Sequence, residues 1–199
     1  MTDSIDFYFE FSSPYGYFAS TQIEALAGEF NRKVRWHPIL LGPMFQATGS
    51  APLVDIPVKG QYFVRDFERT AELFNIPYRR PDPFPIGTVS AARAMLYVQQ
   101  QDSALASNLA KRLYHAYFAE GHDISKTDVV LAVAEQAGLP IKEIEAGIAR
   151  DDIKALLKQE VSDAMARGVF GSPFIIVDGE SFWGFDRFEH IRRWLQRSA

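Results

Sequence analysis

Apolar and polar residues alternate over the first predicted element of the chain. Every second position is apolar, namely Ile5, Phe7, Phe9 and Phe11. The residues between them carry polar groups, and an alternation of period two is typical of a β-strand. Directly afterwards, Ser13 suits the N-cap of a helix and Pro14 suits its first position. The pattern therefore predicts a strand that turns into a helix at Ser13.

The spacing of apolar residues and the turn residues predict the elements that follow. A second strand is expected over 34–39, a loop with one helical turn over 40–51, and another loop over 76–87. Helices are expected over 17–30, 59–74, 89–100, 103–117, 126–138, 140–149, 152–167 and 187–195. Their expected N-caps, after Ser13, are Thr88, Asp102 or Ser103, Ser125, Asp151 or Asp152, and Asp186.

A hairpin is predicted close to the C-terminal end of the chain. Phe174–Val177 is rich in β-branched and aromatic residues, Asp178-Gly179 is a favourable two-residue turn, and 181–183 forms the returning strand. Pro173 opens the first strand of the hairpin, where its missing N–H disrupts no ladder. The pattern also predicts that the Ser172–Pro173 bond is cis.

Composition and charge exclude several classes of function. The chain has 199 residues and is 47% hydrophobic, which is enough for one packed domain or two small ones. Its net charge is -4 and no basic run occurs, so nucleic acid binding has no support. No stretch of about 18 apolar residues predicts a membrane span, and the N-terminus lacks the pattern of a secretory signal. A cytoplasmic protein is therefore expected.

The absence of cysteine excludes disulfide exchange by the chain itself. The cysteine count is 0, and that reaction needs a thiolate. The four histidines do not pair at metal-ligand spacing, so no metal site is expected. Among them, His37 is expected at a strand end that faces the cleft of the functional site, and His115 is expected to be a surface or packing residue of a helix.

The motifs and their order resemble those of the 2-hydroxychromene-2-carboxylate isomerase family and of its relatives, the kappa-class glutathione transferases. The stretches that carry the resemblance are FEFSSPYGY, WHPILLGPMFQATGS, IPVKGQYFVRDFERTAE and GVFGSPFIIVDGESFWGFDR. With their spacing they span most of the chain. The resemblance implies an α/β protein of the DsbA-like type, in which an all-helical domain over 59–151 interrupts a thioredoxin-like domain built from 1–58 and 152–199.

The resemblance further implies that glutathione is the cofactor and that Ser13 is the catalytic residue. Ser13 lies where thiol oxidoreductases of this fold carry their first redox cysteine, and Gly16 lies at the position of the second. The Ser13 hydroxyl would donate a hydrogen bond to the glutathione thiolate, whose charge the helix N-terminus would favour. The alternative is that Ser13 only caps its helix. Ser12 is expected to point away from the site.

Two sets of binding residues are implied by the same resemblance. The set for glutathione is Ser13, Ser172, Pro173, Trp183, Gly184, Phe185 and Asp186. The set for an aromatic substrate is Phe45, Lys59, Tyr62 and Thr88. Phe11 and Tyr15 would line the same cleft. Lys59 would hold a carboxylate of the substrate or of glutathione, unless it is an ordinary solvated lysine. Gly87 replaces an asparagine that relatives often carry, which affects the choice of substrate.

The activity that the resemblance implies is isomerisation of 2-hydroxychromene-2-carboxylate to trans-o-hydroxybenzylidenepyruvate, in the breakdown of aromatic hydrocarbons. Glutathione would add to the substrate, allow rotation about the former double bond and leave again, so that it is not consumed. The expected assembly is a cytoplasmic homodimer. Two alternatives stay open: a kappa-like transferase, which consumes glutathione, and a non-catalytic thioredoxin-fold binding module.

Overall fold

The computed structural model describes residues 4–197, and within this range four strands form one mixed sheet. The strands are β1 (Ser4–Phe9), β2 (Lys33–Pro38), β3 (Phe174–Val177) and β4 (Glu180–Trp183), in the spatial order β2-β1-β3-β4. β1 is parallel to β2 and antiparallel to β3, and β3 is antiparallel to β4. The sheet thus joins the two ends of the described chain. No secretory signal is expected at the N-terminus, but residues 1–3 lie outside the described residues.

Helices make up most of the remaining fold, and most of the predicted helices are confirmed. Their bounds are α1 (Pro14–Ser20), α2 (Ile23–Gly28), α3 (Leu41–Thr48), α4 (Lys59–Phe74), α5 (Val89–Gln99), α6 (Ser103–His115), α7 (Thr127–Gln136), α8 (Ile141–Ala149), α9 (Asp151–Ala166) and α10 (Phe188–Arg197). Between residues 4 and 197, no helix combines the length and apolarity that crossing a bilayer requires. The order of strands and helices confirms the predicted α/β class.

Two helical predictions are wrong in their extent. The helix expected over 17–30 is divided into α1 and α2, because the hydroxyls of Ser20 and Thr21 donate to carbonyl oxygens of the preceding turn and favour an end there. The loop expected over 40–51 contains the helix α3, which has 8 residues instead of one turn. Pro43 lies in the first turn of α3, where a missing N–H costs no helical hydrogen bond.

Of the predicted helix caps, Asp102 is confirmed and several others are wrong. The Asp102 carboxylate accepts two N–H groups of the first turn of α6, at 2.7 and 2.9 Å. Helices α7 and α9 begin after Lys126 and Arg150 and have no side-chain cap. The side chains expected to cap α7, α9 and the last helix contact neighbouring side chains instead: Ser125 contacts Asp123, Asp151 contacts Lys154, Asp152 contacts Arg150, and Asp186 contacts Arg187.

The predicted hairpin is confirmed in its strands and in its turn. Asp178 and Gly179 have φ values of 52° and 88°, the positive values that a two-residue turn between twisted strands requires. The Arg32 guanidinium donates to both oxygens of the Asp178 carboxylate at 3.0 and 2.9 Å, which holds the turn against the chain just before β2. The Ser172–Pro173 bond ahead of β3 is cis, as predicted.

Both faces of β1 are buried, because helices cover the sheet on each side. Phe7 and Phe9 face the main core, where their rings lie 4.9 and 5.3 Å from that of Trp36. Tyr8 belongs to a second, smaller apolar cluster that includes residues of α9. The alternation along β1 therefore separates two buried faces, and the polar residues Asp6 and Glu10 are buried as well.

A partly buried ionic cluster lies on the α9 side of the sheet. The Asp6 carboxylate accepts hydrogen bonds from the guanidinium groups of Arg35 at 2.7 Å and Arg167 at 2.8 Å, and a ring nitrogen of His37 lies 3.1 Å from it. The other ring nitrogen of His37 lies 3.0 Å from Glu160 of α9. The expectation that His37 faces the functional cleft is therefore wrong.

Candidate active site

Ser13 occupies the turn between β1 and α1, and its hydroxyl makes two hydrogen bonds. The Gly16 N–H donates to the Ser13 Oγ at 3.0 Å, which confirms the predicted helix cap. The same hydroxyl donates to the carbonyl oxygen of Ser172 at 3.0 Å. Ser13 therefore faces Ser172, the residue that precedes the cis proline.

Ser172 is held against this turn by further contacts. Its hydroxyl accepts the N–H of Glu10 at 3.0 Å, and the Glu10 carbonyl in turn accepts the hydroxyl of Tyr114 at 2.8 Å. A Cβ placed on Gly16 would overlap the hydroxyls of Tyr114 and Ser172. The close approach of α1 to α6 and to Ser172 thus depends on glycine at position 16.

A cavity of about 630 Å³ opens beside Ser13, and its wall is mostly apolar. Six of the residues predicted for the site and its cleft line it, namely Ser13, Tyr15, Phe45, Thr88, Ser172 and Trp183. Apolar lining residues come from α3, from the chain that follows it, from α4 and from the segment before α5, and include Leu41, Pro43, Pro52, Val54, Phe67, Phe84 and Ile86. A cavity of this size and character suits a small organic ligand with an apolar body.

The other predicted site residues lie outside this lining: Phe11, Lys59, Tyr62, Pro173, Gly184, Phe185 and Asp186. Lys59 and Tyr62 are exposed on α4, whose buried side carries Phe67 instead. Tyr62 is 59% exposed, and the Arg69 guanidinium lies over its ring at 4.6 Å. Phe185 is buried against the ring of Phe74 at 4.8 Å.

Glu10 is a residue of the cavity wall that sequence reasoning did not single out. Its carboxylate is buried and accepts hydrogen bonds from the Ser12 N–H at 2.8 Å and from the Thr88 hydroxyl. Burial raises the pKa of Glu10 to about 7, although these two hydrogen bonds act to lower it. Thr88 lies at the N-cap position of α5, but its hydroxyl makes no hydrogen bond to the first turn of that helix. The hydroxyl donates to the Glu10 carboxylate instead. The available signal was a carboxylate two residues before the Ser12-Ser13 pair, on the predicted apolar strand that leads into the turn.

The described lining of the cavity contains no lysine, arginine or histidine. Tyr15 also lines the cavity, and its hydroxyl donates to the Asp66 carboxylate. Burial, together with Asp66, raises the pKa of Tyr15 far above that of an ordinary phenol, so this hydroxyl stays neutral. Over residues 4–197 no group of three acidic or histidine side chains could hold a metal ion. The polar side-chain groups of the described wall are therefore hydroxyl groups, the indole of Trp183 and one carboxyl group.

Ser12 also lies in the wall, so the expectation that it points away is wrong. Its hydroxyl accepts the Ile86 N–H at 3.0 Å and holds the segment before α5 against the strand-to-helix turn. In the same segment, no atom lies within 4 Å of a Cβ placed on Gly87. The backbone at Gly87 is therefore open to a ligand.

The chain matches the family model of the DSBA-like thioredoxin domain over residues 4–196. The 2-hydroxychromene-2-carboxylate isomerase of Sphingobium xenophagum is 29% identical over 197 residues, which cover 98% of this chain and 99% of that protein. Glutathione S-transferase kappa 1 of Rattus norvegicus is 25% identical, with 93% and 87% covered. A solved structure of selenomethionine 2-hydroxychromene-2-carboxylate isomerase has a TM-score of 0.89 at 25% identity and covers 98% of this chain and 95% of that chain. With the mixed sheet, the Ser13 turn and the cis proline in place, this chain belongs to the DSBA-like thioredoxin domain family.

Proposed function

We propose that the protein is a glutathione-dependent isomerase that converts 2-hydroxychromene-2-carboxylate to trans-o-hydroxybenzylidenepyruvate. Support comes from the full-length similarity to the 2-hydroxychromene-2-carboxylate isomerase of Sphingobium xenophagum and from the apolar cavity, which suits an aromatic ring. Glutathione would supply a thiolate that adds to a conjugated carbon of the substrate and then leaves, so that it is not consumed. The residues of this chain would bind the peptide, stabilise the thiolate and enclose the ring.

The observation that carries this proposal is the Ser13 hydroxyl facing the Ser172 carbonyl at the cavity wall, in a chain without cysteine. The Ser13 hydroxyl donates a hydrogen bond to the Ser172 carbonyl. A peptide-like ligand that pairs its own N–H with the Ser172 carbonyl would release the hydroxyl proton, which Ser13 could then donate to a nearby sulfur. The pair of serines therefore fits the cysteinyl unit of glutathione.

The energy required of Ser13 is within the reach of one hydroxyl. A free thiol titrates near ~8.5, and lowering its pKa by one to two units takes roughly 1.4–2.8 kcal/mol of preferential thiolate binding. A hydrogen bond to a charged group contributes about 1.5–3 kcal/mol. Because α1 has only 7 residues, the hydroxyl is the larger contribution that we propose, and the helix end the smaller.

A kappa-like transferase activity is the second candidate, and the charge of the cavity favours it. The chromene acid carries a carboxylate, whereas the described lining has no cation and includes the buried carboxyl of Glu10. Lys59, which was expected to hold a carboxylate, lies outside this lining. A neutral aromatic electrophile would enter the cavity without leaving a buried charge unpaired.

Binding and turnover measurements distinguish these functions. We expect calorimetry to show binding of glutathione and of S-methylglutathione, and an ultraviolet assay to show turnover of the chromene acid that needs glutathione without depleting it. Stoichiometric loss of glutathione with a chlorinated aromatic acceptor, and no turnover of the chromene acid, would establish the transferase. If neither peptide binds, the chain is a binding module for another ligand and the proposal is wrong.

A further inference from the structure

Glu10 is the one carboxylate in the described wall of the cavity, and the function proposed above assigns it no role. Its backbone contacts both serines of the proposed thiol site, since its N–H donates to the Ser172 hydroxyl and its carbonyl accepts the Ser13 N–H, each at 3.0 Å. Its carboxylate is held by the N–H of Ser12, the neighbour of Ser13. The carboxyl group is therefore fixed in the wall beside the turn that carries Ser13.

A thiolate at Ser13 would share the cavity with this carboxyl group. If both groups were ionised, two negative charges would lie in a wall whose described residues include no cation, and like charges in a buried site oppose each other's ionisation. Transfer of the thiol proton to Glu10 keeps a single negative charge in the cavity. The Ser13 hydroxyl can then stabilise that charge on sulfur.

The acidity of Glu10 suits such an exchange. Burial raises its pKa to about 7, which lies within about two units of an ordinary thiol, so the proton can move in either direction near neutral pH. The titratable groups facing Glu10 from α6 and the turn after it are Tyr114 and Tyr117. Burial raises the pKa of both phenols, so neither changes the charge around Glu10 near neutral pH.

We propose that Glu10 is a catalytic residue that takes the thiol proton of glutathione and returns it at the end of the reaction. The step breaks the S–H bond and forms an O–H bond on the carboxylate, while the electron pair of the broken bond stays on sulfur. The Thr88 hydroxyl, which donates to the carboxylate, can turn and accept from the new carboxylic acid. This inference rests on the proposed function, because it concerns the same thiol.

Proton release on binding tests the proposal independently of turnover. Glutathione is titrated into the whole protein at about pH 8, where Glu10 is ionised and an ordinary thiol is mostly protonated. Calorimetry in two buffers of different ionisation enthalpy counts the released protons, and ultraviolet absorbance follows the thiolate. For the wild type we expect thiolate formation with little proton release. A thiolate that forms with release of a whole proton would overturn the role of Glu10 and leave the proposed function standing, whereas no thiolate would overturn both.

Glu10→Gln provides a second test, because glutamine has nearly the same size and can keep both hydrogen bonds. We expect kcat/KM of the wild type to fall only below about pH 7. The variant depends on thiol that ionises without a base, so we expect its kcat/KM to fall already below ~8.5, the pKa of an ordinary thiol, and to be about 100-fold lower at pH 8. Melting temperature and S-methylglutathione affinity check that the variant folds, and Glu180→Gln on the exposed side of β4 is the matched control. A variant with the wild-type rate and pH profile would contradict the proposal.

Discussion

Replacing Ser13 by alanine is expected to lower the glutathione-dependent rate by roughly ten- to a thousand-fold. This range corresponds to about 1.4–4 kcal/mol of lost stabilisation of the thiolate and the transition state. The variant loses the hydroxyl that donates to the Ser172 carbonyl and that we propose to donate to sulfur. The measurement is the ultraviolet assay at saturating glutathione, together with the pH at which bound glutathione ionises, which should rise by one to two units.

The matched control for this variant is Ser20→Ala. Ser20 is a buried serine of the same helix, and its hydroxyl donates to the Tyr17 carbonyl away from the cavity. Ser12 is unsuitable as a control, since its hydroxyl lies in the cavity wall and accepts the Ile86 N–H. Equal rates for Ser13→Ala and Ser20→Ala, with glutathione still bound, would show that Ser13 is only a helix cap.

Replacing Asp6 by alanine is expected to lower the free energy of unfolding by about 3 kcal/mol at about pH 6, the cost of breaking a buried ion pair. The Asp6 side chain is only 5% exposed and receives Arg35, Arg167 and His37. The estimate lies at the low end of the usual range, because the side chains of Arg35 and Arg167 are 56% and 43% exposed and can turn to water. Urea unfolding followed by circular dichroism measures this difference.

The pH dependence of this difference follows from two opposite pKa shifts. Burial alone would raise the pKa of Asp6, but hydrogen bonds from His37, Arg35 and Arg167 hold it well below its usual range. Its stabilisation is therefore present above the unfolded value of about 3.9 and is lost as the pH falls toward the folded value.

The pKa of His37 shifts in the other direction. Burial lowers it, yet the hydrogen bonds to Asp6 and Glu160 outweigh burial and raise the pKa above its ordinary value. The stabilisation by His37 is thus complete below about 6.5 and is lost as the pH rises through the raised folded value. The effect of Asp6→Ala should consequently be largest between about pH 4 and about pH 6.5.

The control variant is Asp151→Ala, which removes an exposed partner of Lys154 and should change the free energy of unfolding little at any pH. An equal loss of unfolding free energy in both variants would contradict a stabilising role of the partly buried ionic cluster around Asp6.

The sequence by itself determined the elements that depend on neighbouring residues. The Ser13 cap, the bounds of α4 and the Asp178-Gly179 turn were all predictable, because caps, helical periodicity and turn conformations depend on residues within a few positions of one another. The family resemblance also depended on such local motifs and their order, and the matched domain family confirms it. These features were enough to predict Ser13 and Ser172 as members of one set of site residues, and the structure shows the contact between them.

Only the tertiary structure decided what each face of an element contacts. A periodic pattern shows that two side chains share a side, but distant segments decide whether that side meets core, solvent or a cavity. The Thr88 hydroxyl therefore bonds to Glu10, 78 positions earlier in the chain, although local sequence favoured a helix cap. For the same reason His37 meets α9 instead of the cleft, Tyr62 faces solvent, and Glu10 lies in the cavity wall that α3, α4 and the start of α5 complete.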